Sequence, residues 1–226
     1  MIRAVIPLYY ISVSFLSGSP YPPVIGICGD FESGKDEVAS ILVKHYQYTR
    51  VSFADFLRAQ IYEYLLSQAG YPSDFPKEIV DIIRSHRNDP YAVYRKPTSL
   101  AMRNVLQYIG TDYFRTLDKD YWVKEMAAYA KPLLDAGRRI AIPDMRYPNE
   151  VDYVRQHDGD TWRVLRPLPD KLQNEFRKHL SERALDQIEM DHAVVNDGTL
   201  PELKNRVDLA IALALDSRTR RRQQAA

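Results

Sequence analysis

The sequence predicts an α/β fold of three layers, a parallel sheet of about five strands flanked by helices and carrying a mobile helical lid. Three observations predict it. The short apolar run over 24–28 enters a glycine-bounded loop that ends in Lys35 and a segment with helical spacing. Further apolar runs of strand length alternate with helix-length segments, the order of a parallel sheet covered on both faces. The stretch 167–190 holds many charges and few apolar side chains, among them Lys171, Arg177, Lys178, His179 and Arg183. That composition suits a solvated flap able to close over an anionic ligand, and equally a plain solvated helix pair.

Each element follows from local pattern. Residues 1–23 read as an N-terminal extension, apolar from Ile2 to Leu16 with Arg3 near the start. The extension loosely resembles a secretory signal and is too short for a confident membrane span. Pro20, Pro22 and Pro23 join it to a domain over 24–216. A helix over 35–46 places Val38, Ile41 and Leu42 on one face. A strand is expected over 49–54, then a helix over 55–69 with Asp55 as its N-cap and Phe56, Ile61 and Leu65 in the core. The proline-punctuated stretch 70–97 reads as a helical excursion. Helices follow over 98–109, closed by Gly110, and over 118–136, closed by Gly137. Then come a strand over 139–142, a helix over 149–156, strands over 161–165 and 193–195, and an amphipathic helix over 200–215. The tail 217–226, with Arg218, Arg220, Arg221 and Arg222, is expected to be disordered.

Composition narrows the function. The 226 residues carry 31 basic and 30 acidic side chains, a net charge of +1, which does not announce a nucleic-acid polymer as partner. The single cysteine, Cys28, excludes an intrachain disulfide framework and points to a reducing, cytoplasmic compartment. No His/Cys spacing suggests zinc. No membrane partner is expected, and a homodimer is left open.

The chemistry is concentrated in two places. Gly29-x-x-x-x-Gly34-Lys35 fits a P-loop, in which backbone N–H groups converge on phosphate oxygens and the lysine reaches the β/γ-phosphates. Asp36 stands where Ser or Thr would put a hydroxyl on Mg²⁺; it is a potential metal ligand or a first-turn acid favoured by the helix dipole. Arg103 and Gln107 lie four apart and share a helical face, offering a guanidinium to a phosphate and an amide to a base edge. Asp144 and Arg146 follow an apolar strand, where an Asp can hold Mg²⁺ or its water and an Arg a transferring phosphoryl group. Cys28/Gly29, Ala54/Asp55, Asp144 and Arg166 all fall at predicted strand ends, where ligands of such sheets collect.

Taken together, Ser33-Gly34-Lys35-Asp36, Ser52-Phe53-Ala54-Asp55, the stretch from Leu106 to Asp112 with Arg115 and Trp122, and the stretch from Asp144 to Val151 resemble bacteriophage deoxynucleoside monophosphate kinases. The resemblance continues in His179-x-Ser181-Glu182 and from Val195 to Leu200, covering roughly residues 24–210. It places the chain in the P-loop nucleoside-monophosphate-kinase-like group. It implies transfer of the γ-phosphate of ATP, with Mg²⁺, to a dNMP, in the host cytoplasm if the gene is a phage's. By the resemblance, Gly29, Ser33, Gly34, Lys35, Asp36 and Glu37 would bind the ATP phosphates, with Asp36 and Asp144 serving the metal. Arg103, Asn104, Gln107, Gly110, Thr111, Trp122, Asp144, Arg146 and Glu150 would line the acceptor pocket, Trp122 being equally readable as core. Arg166 and the flap would close over ATP, with Asn196 and Asp197 near its adenine edge. The acidic Asp30-Phe31-Glu32 inside the loop departs from the basic residues usual in similar proteins. Rival readings are a phosphomevalonate or dephospho-CoA type kinase and a non-catalytic nucleotide-binding module.

Overall fold

The computed structural model describes residues 19–30, 32–66, 71–95, 98–167, 184–186 and 188–224. Most of the predicted extension and most of the predicted lid lie outside the described residues. The described chain forms two compact units, one of 53–126 and one of 19–52 with 127–224.

In chain order the elements are β1 (Val24–Cys28), α1 (Lys35–Tyr46), β2 (Tyr48–Arg50), α2 (Phe53–Leu66), α3 (Lys77–Ser85), α4 (Leu100–Gln107), α5 (Phe114–Leu117), α6 (Tyr121–Asp135), β3 (Arg139–Ile142), α7 (Pro148–Gln156), β4 (Asp160–Leu165), β5 (His192–Val195) and α8 (Leu200–Gln224). A 3₁₀ turn, Pro90–Tyr94, precedes α4, and a π-helix, Tyr108–Tyr113, links α4 to α5.

The sheet belongs to the second unit. Its order is β2-β3-β1-β4-β5 and every pairing is parallel. β1 sits in the middle, buried at all five positions, as a strand covered on both faces must be. Its Ile25 and Ile27 pack with Val38 and Leu42 of α1, Trp162 and Val164 of β4, and Leu203, Val207 and Ile211 of α8. Each such aliphatic side chain contributes about 1.5–3 kcal/mol on burial. The first unit has its own core, in which Ile61, Leu65, Ile79, Ile83, Met102, Val105 and Ile109 are buried.

Several expectations change. The second strand ends at Arg50 rather than residue 54, because β3 can partner it only as far as Ile142 and the next residue, Pro143, has no N–H to give. Phe53 then opens α2, so Asp55 lies inside the first turn instead of capping it. Gly110 does not close a helix: it is buried in the π-helix, where an added Cβ would lie 2.6 Å from Leu57 Cδ2. The helix expected from 118 begins at Tyr121, and Asp118 instead accepts the Asp120 N–H at 3.0 Å in the turn before it.

The tail is helical rather than disordered, since α8 continues to Gln224. Its Arg218 is 5% exposed and bonds both the carbonyl and the carboxylate of Asp158 at 2.5 Å. Arg220 pairs with Asp216 one turn back at 2.7 Å.

Candidate active site

The phosphate loop is built at the carboxyl end of the central strand. β1 ends at Cys28, and Gly29 takes φ +148° with its α-hydrogen facing the Val164 carbonyl, where a side chain would collide. Gly34 takes φ +98° at the N-cap of α1 and has no side chain to compete for the first-turn N–H groups. Those N–H groups and the helix dipole make an anion-binding end. The Lys35 ammonium donates to the carbonyls of Gly29 at 2.7 Å and Asp30 at 2.6 Å, and lies 3.5 Å from Ser33 Oγ. Ser33 is buried, whereas Asp36 and Glu37 are exposed in the first turn of α1. Asp36 faces Arg50 at 3.7 Å, a hydrated pair.

Gly29 and Asp30 line a hollow together with Cys28, Met145, Arg146, Arg163 and Leu185. The loop that holds Lys35 and the turn that carries Arg146 therefore face one space. Burial pushes the Cys28 thiol up, with Arg163 and Lys35 pulling the other way, so it remains a protonated wall rather than a nucleophile. Arg163 donates to the carbonyls of Leu185 and, at 3.5 Å, Ile188, two described residues near the end of the predicted lid. The sequence signal for it was a lone charge in an otherwise apolar strand.

The Asp144 to Glu150 turn follows β3. Asp144 Oδ2 accepts a 2.6 Å hydrogen bond from the hydroxyl of Ser52, which is 1% exposed. Ser52 was singled out by motif alone, and its work is to orient this carboxylate. Glu150 departs from its expected place in an acceptor pocket. It is 1% exposed, and its carboxylate accepts the N–H groups of Arg146 at 2.6 Å and Tyr147 at 3.1 Å. It thereby braces the turn that presents the exposed Arg146 and starts α7.

At the outer strands, Asn196 and Arg166, expected near the adenine edge and over ATP, contact the loop. Asn196 Nδ2 donates to the Ser33 carbonyl at 2.9 Å, and Arg166 Nη1 to the Glu32 carbonyl at 3.2 Å. Asp197 pairs with Arg206 at 2.6 Å, and Arg206 also donates to the Val195 carbonyl at 2.7 Å.

In the first unit, Arg103, Asn104 and Gln107 are exposed along α4 while Met102 and Val105 are buried, so the three share one face as their spacing required. Ser99 caps that helix by accepting the Met102 N–H at 3.2 Å. The π-helix carries Gly110 and Thr111. The Trp122 indole N–H donates to Gly110 O in that turn at 2.7 Å. Trp122 is 3% exposed, so it belongs to the core, and it holds the π-turn in place rather than presenting a face to a ligand. Ala54 and Asp55, expected at a strand end, lie in α2 of this unit.

A family model described as deoxynucleotide monophosphate kinase matches residues 66–207, more than half of the chain. A putative deoxynucleotide monophosphate kinase of Acanthamoeba polyphaga mimivirus is 27% identical over 199 residues, covering 81% of this chain and 93% of that protein. The deoxynucleotide monophosphate kinase of Enterobacteria phage T4 is 30% identical over 109 residues, 47% of this chain and 44% of the phage protein, so the match spans less than half of that relative. Among solved structures, a dephospho-CoA kinase from Campylobacter jejuni is similar with a TM-score of 0.43 and 12% identity, over 85% of this chain and 97% of that one. The family match begins after the phosphate loop, so the loop's geometry and the match are separate observations. The chain belongs to the deoxynucleotide monophosphate kinase family and is a nucleotide monophosphate kinase, a phosphotransferase.

Proposed function

We propose that the chain transfers the γ-phosphoryl group of ATP to the 5′-phosphate of a deoxynucleoside monophosphate, with the loop from Gly29 to Lys35 holding the donor. The observation that carries this reading is the shared hollow: the loop engaged by the Lys35 ammonium and the exposed Arg146 line the same space.

The acceptor is already an oxyanion at neutral pH, so no strong general base is required. The difficulty is to hold two anions together and stabilise charge on the equatorial oxygens of the transferred group. Lys35 exchanges its bonds to the Gly29 and Asp30 carbonyls for phosphate oxygens, and Arg146 meets the transferring group. On the first unit, the exposed Arg103, Asn104 and Gln107 of α4, with Thr111 of the π-helix, offer a guanidinium and polar groups of the kind a nucleoside monophosphate takes. Exclusion of water keeps the phosphoryl group from hydrolysis.

The donor set fits Mg²⁺. Among the described residues no cluster of three or more His, Cys, Asp or Glu side chains occurs, and Mg²⁺ that arrives on a triphosphate needs only one or two carboxylates as hard oxygen donors. Asp144, oriented by Ser52, would hold it, directly or through water, with Asp36 as the second carboxylate. A Mg²⁺ held by these carboxylates would supply positive charge against the phosphates.

A coupled assay of ADP release across the four dNMPs, ribonucleoside monophosphates, phosphomevalonate and dephospho-CoA tests the proposal. Turnover with dNMPs and none with the last two is the expected result. Turnover confined to either of the last two transfers the chain to a rival small-molecule kinase class, and ATP binding without ADP release from any acceptor makes it a non-catalytic module.

A further inference from the structure

We propose that Asn196, assisted by Arg166, is a positioning residue for the phosphate loop and acts on any polyphosphate rather than on the adenine. The proposal rests on the loop being the triphosphate site and asks how the chain keeps that loop in binding form.

A P-loop works by pointing N–H groups at an anion, which requires its carbonyls to point elsewhere and to find other donors. Each peptide is planar and trans, so holding a C=O on one side sends the next N–H to the other. The carbonyls of Gly29 and Asp30 face Lys35. The Gly34 carbonyl accepts from Val38 N at 3.0 Å inside α1. Among the described residues of the loop, the carbonyls of Glu32 and Ser33 remain, and neither is served by the helix. Asn196 Nδ2 takes the Ser33 carbonyl at 2.9 Å, which directs the Gly34 N–H away from Asn196. Arg166 takes the Glu32 carbonyl at 3.2 Å, closing the turn in which Ser33 N donates to Asp30 O at 3.2 Å.

Both side chains are fixed by the sheet rather than by the loop. Arg166 directly follows β4 and Asn196 directly follows β5. The Asn196 N–H donates to the Leu165 carbonyl at 2.7 Å, tying the two strand ends together. The assignment of the amide is unambiguous, because a carbonyl can only accept and so the nitrogen must face Ser33. Gly34 completes the arrangement: a Cβ at that position would collide with Asn196 Nδ2. Lys35 is expected to leave the carbonyls of Gly29 and Asp30 when phosphate binds, whereas Asn196 and Arg166 have no reason to move. They are the part of the loop's support that persists through turnover.

The test compares Asn196→Ala, Asn196→Asp and Arg166→Ala with the unaltered protein, measuring by calorimetry the binding of ATP, GTP and inorganic tripolyphosphate. Asn196→Asp keeps size but replaces the donor by an acceptor; Arg166→Ala removes an exposed side chain and guards against misfolding of the Asn196 variants. The expected result is that both Asn196 variants weaken all three ligands by a common factor of about tenfold, with Asp at least as harmful as Ala, and that Arg166→Ala does so by a smaller common factor. The KM for a dNMP should stay within about twofold. Weakening of ATP alone, with GTP and tripolyphosphate unaffected, would assign Asn196 to the base and overturn the proposal, as would unchanged binding of all three. Because binding is read without turnover, a protein that binds tripolyphosphate as described but phosphorylates no dNMP refutes the kinase reaction and leaves the positioning role standing.

Discussion

The two ends of the sheet in the second unit use charge in opposite ways. At the amino ends of the strands the charges are buried: Arg139 is 7% exposed, Asp160 1% and Arg218 5%. Arg139 lies between the rings of Tyr21 and Tyr48, 4.7 and 5.2 Å from their centroids, and donates to the Tyr46 carbonyl at 2.6 Å. His192 and Arg221 each approach Asp160 at 3.4 Å. At the carboxyl ends Asp36, Arg146 and Arg166 stay exposed, and the buried charge there, Glu150, is satisfied by the backbone N–H groups of Arg146 and Tyr147 rather than by an opposite charge. For Arg146, proposed to meet and release an anion each cycle, a dry partner would be a cost, because breaking such a pair costs about 3–5 kcal/mol. A charge that only fastens elements together can keep such a partner.

That contrast separates activity from stability by position. The largest effect belongs to Lys35→Ala, which should lower phosphoryl transfer by about two or more orders of magnitude while the melting temperature shifts by only a few degrees. Loss of the fold instead would mean that the ammonium's bonds to the Gly29 and Asp30 carbonyls hold the unit together. Arg146→Ala comes next, with kcat falling by roughly ten- to a hundredfold and stability within about 0.5 kcal/mol of the parent in urea unfolding. At the other end, Arg218→Ala should reverse the pattern. It should destabilise by about 1–3 kcal/mol, since it leaves the Asp158 carbonyl without this charged donor, and leave kcat/KM unchanged. A kinetic defect there would break the division.

The first unit tests whether the rule extends beyond the sheet. Gly110→Ala would push into Leu57 and should cost about 1–3 kcal/mol, with a rise in the KM for the dNMP that exceeds any change in the KM for ATP. The smallest effect concerns the first turn of α8. Hydrogen bonds from the Thr199 N–H and hydroxyl hold the Glu202 carboxyl below its usual range. A depressed carboxyl stabilises above its unfolded value, and that support is lost as pH falls through the folded one. Amide exchange in this turn, referenced to the pH dependence of intrinsic exchange, should show protection falling only on acidification below about pH 4. Loss of protection between pH 6 and 8 would point to another group.

Much of this was legible in the sequence, and the failures share a cause. Most of the apolar runs, the glycine-bounded turn between β1 and α1 and the exposed face of α4 are local patterns that took their expected form. The second strand was overextended because Val51, Phe53 and Ala54 suit a strand as well as a helix, and the limit is set by Pro143, which follows the neighbouring strand. Gly110 was misplaced because a glycine needed for close packing looks the same as one needed for a cap. The tail seemed solvated because the Asp158 that binds Arg218 lies 60 residues away in sequence. Glu150 and Trp122 have the side chains a nucleotide pocket uses, yet their hydrogen bonds go to the backbone that shapes the site. Ser52 and Arg163 gave little signal because their partners, Asp144 and Leu185, come near only through the fold.

The decisive measurement follows a γ-³²P label from ATP, in the presence of each dNMP, with the unaltered protein and with folded Lys35→Ala side by side. Label should appear in the dNDP with the unaltered protein and be reduced to background by the substitution. Label that stays in ATP with every dNMP, or that moves equally well without the lysine, would contradict the role given to this loop.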